Sequence, residues 1–158
     1  MKEAMDNKVD KLRQVTLFSW LDEEKIDTLA ANAQPHDFEA GDVCLAKGSA
    51  TRGVHILISG SVEVFEGESR SPHDILFTLI DGDFFGEQCL LGNSSSAGTF
   101  VALEPCSLLF ISLEFFKELE KDHPDQYALI ISNLARFYSR TLRQVNERFK
   151  IANTVLAE

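Results

Sequence analysis

The chain has 158 residues, 44% of them hydrophobic, which suits one domain built on one core. Its formal net charge of -10 repels the phosphate backbone of DNA or RNA, so no nucleic acid is expected as a partner. A membrane helix needs about 18 consecutive apolar residues and no such run exists, so the chain is expected to work in the cytoplasm without contacting a membrane.

Residues 1–14, MKEAMDNKVDKLRQ, form a helical extension by composition. Its apolar stripe is only Met5, Val9 and Leu12, which predicts weak docking and fraying. Asp22 is placed to cap a helix through EEKIDTLAANA, with Leu21 and Ile26 spaced as a hydrophobic staple and Ile26, Leu29 and Ala30 on the buried face. All nine glycines fall between Gly41 and Gly98, so turn chemistry is confined to the middle of the chain. There, β-rich runs at 43–46, 54–58, 62–65, 75–79 and 107–111 alternate with polar or glycine turns, the pattern of antiparallel strands closing into a roll. Ser59-Gly60-Ser61 reads as a tight connection, and Pro72 blocks strand pairing in the loop before residue 75.

From Leu113 the composition turns helical again, and Pro124 starts a second, longer helix. Tyr127, Ile131, Leu134, Tyr138, Leu142, Val145, Phe149, Ala152 and Leu156 recur on it at steps of three or four, defining one apolar stripe. Such a stripe outruns a domain of this size, so its far half predicts a homodimer. The opposite face is basic through Arg136, Arg140, Arg143, Arg148 and Lys150. It is a solvated face, a ligand cap through Arg140, Arg143 or Asn146, or a surface for an acidic effector protein.

The segment that carries chemistry is GDFFGEQCLLGNSSSAGTFVA, residues 82–102. Gly86 lets the backbone approach a ligand, and the amides of Glu87, Gln88 and Cys89 would open a helical turn whose free donors favour a phosphate. Glu87 can accept hydrogen bonds from a sugar hydroxyl. No H-x-H or H-x-x-x-H links His36, His55, His73 and His123, and no G-x-S-x-G elbow surrounds the serines, so neither a metal cofactor nor a nucleophilic hydrolase is expected. Cys44, Cys89 and Cys106 lack C-x-x-C spacing and read as buried free thiols.

Several of these segments, in this order, resemble the cyclic nucleotide-binding domain family. LFSWLDEEKIDTLA is similar to its leading helix, FEAGDVCLAKGS to its G-x-x-L/I-x-x-x-G strand-turn, and HILISGSVEVF to its hairpin. LIDGDFFGE resembles the L-x-x-G-x-x-F-G-E opening of its phosphate-binding cassette. The resemblance implies an α+β fold, an eight-stranded antiparallel, jelly-roll-like β-roll flanked by N-terminal helices and a long C-terminal helix. It divides the chain into a helical extension (1–14), a roll with flanking helices (15–125) and a helical dimerisation element (126–158). The implied ligand is cyclic AMP or cyclic GMP, held by Phe85, Gly86, Glu87, Gln88, Cys89, Ser96 and Ala97, with no catalytic residue and no cofactor.

In the family, an arginine nine residues beyond the F-G-E glutamate grips the cyclic phosphate, and here that position is Ser96. Losing one partner of a buried charge pair costs roughly 3 to 5 kcal/mol, enough to turn a micromolar binder nearly millimolar. Three readings follow: a cation such as Lys47, Arg52, Arg70 or Arg140 replaces the arginine, a different ligand is bound, or the pocket is silent. The expected function is a non-enzymatic regulatory or sensor module signalling through its last helix. The alternative is a ligand-silent interaction or dimerisation domain.

Overall fold

A computed structural model describes residues 2–67, 71–93 and 95–156, with side-chain surroundings given from residue 7 to 155. Met5, Arg70 and Leu156, named above, therefore lie outside the described side chains. Helices α1 (Lys2–Gln14) and α2 (Glu23–Asn32) lead into strands β1 (Gln34–Phe38), β2 (Val43–Leu45), β3 (Gly53–Ser59) and β4 (Val62–Phe65). Strands β5 (Ile75–Leu79), β6 (Phe84–Phe85), β7 (Thr99–Ala102) and β8 (Cys106–Ser112) follow, then helices α3 (Leu113–Asp122) and α4 (Pro124–Leu156). The strands pair antiparallel in two four-stranded sheets, ordered β1-β8-β3-β6 and β2-β7-β4-β5. This is the expected α+β roll.

Two apolar cores explain why the central strands read as continuous hydrophobic runs. Leu57, Val62, Val64, Phe85, Ala102 and Leu108 pack together in one core, to which both sheets contribute. Val54, Ile56, Leu109 and Ile111 join residues of α1, α2, α3 and α4 in the other. Strand β3 thus buries both of its faces, and the alternation that marks a half-exposed strand is absent from VHILI. Gly60 turns β3 into β4 at φ 95°, where a Cβ would come within 2.7 Å of the Pro105 carbonyl oxygen, so no larger residue fits.

Three strands escape the sequence reading. Strand β1, QPHDF, carries a proline and polar residues because it is an edge strand, paired among the described residues with β8 alone. Strand β6 is two residues long, and β7 lies inside the segment read for its chemistry. The 43–46 run ends one residue early, at Leu45.

Asp22 sits at the cap position of α2, but its carboxylate makes no capping bond. Its backbone N–H instead donates to Gln126 Oε1 at 3.0 Å, tying the start of α2 to α4. Ile26, Leu29 and Ala30 are buried as expected. Helix α1 is docked more closely than its thin stripe suggests, because Leu12 is fully buried and Lys8 Nζ donates to the Ala33 carbonyl at 3.0 Å. Ser112 caps α3 by accepting the Phe115 N–H at 3.3 Å, and Pro124 opens α4.

Helix α4 runs for 33 residues. Ile130 and Leu134 are fully buried, whereas Leu142, Val145, Phe149, Ile151 and Val155 are all more than half exposed. Cys44, Cys89 and Cys106 are free thiols, with Cys89 and Cys106 buried. Among the described residues no helix is long and apolar enough to cross a membrane.

Candidate functional site

Strand β6 ends at Gly86, whose φ of 82° is left-handed and whose missing Cβ would lie 2.6 Å from the Gly53 carbonyl oxygen. Only glycine allows the chain to turn that close to β3. A 3-10 turn, Glu87–Leu91, follows and closes on Gly92, also at φ 82°. The next loop is held by Ser96: its N–H donates to the Ser49 carbonyl at 2.9 Å, its carbonyl accepts the Gly48 N–H at 2.8 Å, and its hydroxyl donates to the Gly98 carbonyl at 2.7 Å. Ser96 is 5% exposed.

These two turns form one wall of a cleft of about 510 Å³. Strand β5 adds Leu76, Phe77, Thr78 and Leu79, the roll interior adds Leu45, Val64 and Phe100, and α4 adds Phe137, Tyr138, Thr141, Gln144, Val145 and Arg148. That volume is in the range of small-molecule sites, about 300 to 1,000 Å³. The residues from α4 follow a helical step of three or four, so a single face of the helix overlooks the opening.

The contact that joins the two walls is polar. Tyr138 Oη donates to Glu87 Oε1 at 2.7 Å, and beside it the Phe137 ring tilts against Phe84 with centroids 4.9 Å apart. Glu87 is 8% exposed, and burial pushes its carboxyl above the usual carboxylate range, with the Tyr138 hydrogen bond opposing. The Tyr138 phenol is pushed up in turn, first by burial and then by the charge of Glu87. In this pair the phenol O–H is the donor and the Glu87 carboxyl oxygen the acceptor.

Of the residues singled out in the sequence, Phe85, Gly86, Glu87, Gln88, Ser96 and Ala97 line this cleft. Cys89 does not: it is buried behind the turn, with its thiol pushed up to about 11 by burial, and its N–H donates to the Gly86 carbonyl at 3.3 Å. Asn146 is exposed and off the lining face, because it lies about 140° around the helix from the centre of the face that the lining residues of α4 share. Among the candidate replacement cations, Lys47, Arg52 and Arg140 are exposed and outside the lining, and Arg70 lies outside the described residues.

Among the described lining residues Arg148 is the one cation, against the carboxylates of Asp83 and Glu87. Asp83 is already engaged, since its Oδ2 accepts the Ile80 N–H at 2.9 Å. The sequence reading missed the roles of Tyr138 and Arg148. Tyr138 stood in the apolar stripe, and the signal available was its hydroxyl, which needs a partner when half-buried. Among the described residues no group of three or more His, Cys, Asp or Glu side chains is placed to hold a metal ion.

Comparison with known proteins gives a consistent result. The family described as "Cyclic nucleotide-binding domain" matches residues 35–123, more than half of the chain. The cAMP-activated global transcriptional regulator CRP of Pasteurella multocida is 30% identical over 112 residues, covering 70% of this chain and 54% of that protein. The cGMP-dependent protein kinase, isozyme 1, of Drosophila melanogaster is 30% identical over 135 residues, covering 78% of this chain and 18% of that protein. The chain thus spans about half the length of the first relative and a smaller part of the second. Among solved structures, a cyclic nucleotide-binding domain from Methylobacillus flagellatus matches with a TM-score of 0.75 at 16% identity, covering 92% of this chain and 82% of that one.

Proposed function

The chain belongs to the cyclic nucleotide-binding domain family, and from that premise we propose that it is a non-enzymatic sensor module whose ligand signals through α4. The observation that carries this reading is the hydrogen bond from Tyr138 to Glu87, which makes one helix both a wall of the cleft and the route out of it. A ligand that reaches Glu87 competes with Tyr138 and biases the position of α4, a shift of population between two arrangements of one helix. The far half of α4 then passes the change to a second copy of the chain or to an effector protein. The chemistry of the reading is recognition alone, and the cytoplasm is the compartment it assumes.

Two relatives are named as cAMP-activated and cGMP-dependent, which supports cyclic nucleotides as the first ligands to try. Ser96 argues that they bind weakly, because its hydroxyl carries no charge and is spent on Gly98. That same self-satisfied loop favours the second reading, a ligand-silent interaction or dimerisation domain. Thermal unfolding with millimolar cyclic AMP, cyclic GMP, adenosine and guanosine separates the two. The sensor reading expects at least one compound to raise the melting temperature by about 2 °C or more, as binding to the folded state requires. No shift with any of the four leaves the ligand-silent reading in place.

A further inference from the structure

Two residues on the wall of the cleft offer contrasting chemistry. Ser96 has its amide, its carbonyl and its hydroxyl all engaged within the protein, and its side chain is buried. It presents nothing to an anion. The lining carries two carboxylates, Asp83 and Glu87, against the guanidinium of Arg148, which stands on an exposed stretch of α4. A phosphate entering here gives up its hydration without meeting a buried countercharge.

Glu87 already holds a partner, and that partner has a definite character. It is the hydroxyl of a neutral aromatic ring, donated at 2.7 Å by Tyr138. The contact displays the kind of group this carboxyl accepts. Around it the walls include the rings of Phe77, Phe85, Phe100 and Phe137, which suit a flat aromatic body.

We infer that the cleft takes a neutral, hydroxyl-bearing aromatic ligand, a nucleoside rather than a nucleotide, and that Tyr138 is its internal competitor for Glu87. This rests on the sensor reading above and names the ligand class for the same cleft. The phenol keeps the buried carboxylate satisfied while the cleft is empty. A ligand hydroxyl replaces it and frees Tyr138 together with the turn of α4 that carries it.

Calorimetry on the full chain with adenosine, guanosine, cyclic AMP and cyclic GMP tests this. The expected result is that one nucleoside binds at least about tenfold more tightly than its own cyclic phosphate. In Tyr138→Phe, shown by circular dichroism to be folded, that nucleoside should gain about tenfold more, the size of one hydrogen bond to a charged group released from competition. A cyclic nucleotide that binds as tightly as its nucleoside, or more tightly, overturns the ligand class while leaving the sensor reading intact. Loss of that binding in Arg148→Gln would then identify the guanidinium as the phosphate's partner. Unchanged or weaker nucleoside affinity in folded Tyr138→Phe overturns the competitor role. Binding of none of the four compounds overturns both the inference and the sensor reading.

Discussion

His55 lies on β3, where its ring stacks on Phe85 at 4.8 Å and tilts against Phe110 at 4.8 Å and His36 at 5.9 Å. Its Nδ1 is buried without a hydrogen-bond partner. Burial, with a smaller contribution from the neighbouring His36, holds its pKa down to about 4. The unfolded chain therefore binds this proton more readily than the folded one. The stability that His55 contributes is fully present above its ordinary pKa of 6.5 and is lost as pH falls from there towards about 4. The loss is at most on the order of 3 kcal/mol. Glu87, with its raised carboxyl, works in the opposite sense by taking up a proton in the folded state. Urea unfolding of His55→Phe at pH 7 and pH 4.5 should show a smaller loss of stability between the two than wild type shows. An identical loss in the two proteins would mean that His55 is not the group responsible.

Ser96 gives a second prediction at the same scale. Arginine meets two phosphate oxygens with a planar fork, so Ser96→Arg should tighten cyclic AMP or cyclic GMP by about 30-fold or more, with Ser96→Lys gaining less. Nucleoside affinity should change little, because Glu87 and the aromatic walls are untouched. Calorimetry on the folded variant decides. No gain would show that the loop, tied at Gly48, Ser49 and Gly98, cannot aim a cation into the cleft.

Helix α4 divides near Tyr138. Before it, Ile130 and Leu134 are fully buried, and Asn133 Nδ2 donates to the carbonyls of Leu17 at 3.1 Å and Ser19 at 2.7 Å. Beyond it, Leu142 and Phe149 are 62% and 67% exposed and lie seven residues apart, so they fall on one face. Apolar side chains repeated this way on a projecting helix favour a partner helix, and the protein is expected to be a homodimer at about 50 µM by light scattering. Leu142→Asp with Phe149→Asp should leave monomers. Val145 is a poorer choice for this test because it also lines the cleft. A monomeric wild type would contradict the expectation.

The division of α4 also explains what could be read in advance. The apolar stripe was legible because its period is a local property of the helix. Which part of that stripe meets the roll, and which overlooks the cleft, depends on the angle at which α4 crosses strands far away in sequence. Asn146 was therefore named where Tyr138 and Arg148 line the cleft. The turn from Phe85 to Gln88 was legible because those residues are contiguous and Gly86 is required by backbone geometry alone. Strand β1 was not, because an edge strand tolerates Pro35 and polar side chains that argue against a strand anywhere else.

In the whole molecule, α4 is pinned at four places by polar side chains. Gln126 accepts from Asp22, Asn133 clamps the turn at Leu17 and Ser19, Tyr138 reaches Glu87, and Tyr127 Oη donates to the Leu90 carbonyl at 3.5 Å. Trp20, next to the clamped turn, has a left-handed φ of 70° and is 80% exposed, so the turn is held in a conformation that costs about 1 to 2 kcal/mol for such a residue. The first two pins join buried amide side chains to backbone groups of the N-terminal segment, which no ligand in the cleft would touch. The third alone faces the cleft, so a ligand should release α4 beyond Tyr138 while its first half stays in place. Hydrogen exchange along α4, measured with and without saturating nucleoside or cyclic nucleotide, tests that directly. The account predicts altered protection from about residue 137 onward and unchanged protection between residues 126 and 134. Protection that changes only in the turns at residues 86–98, with the whole of α4 unaffected by a bound ligand, would contradict it.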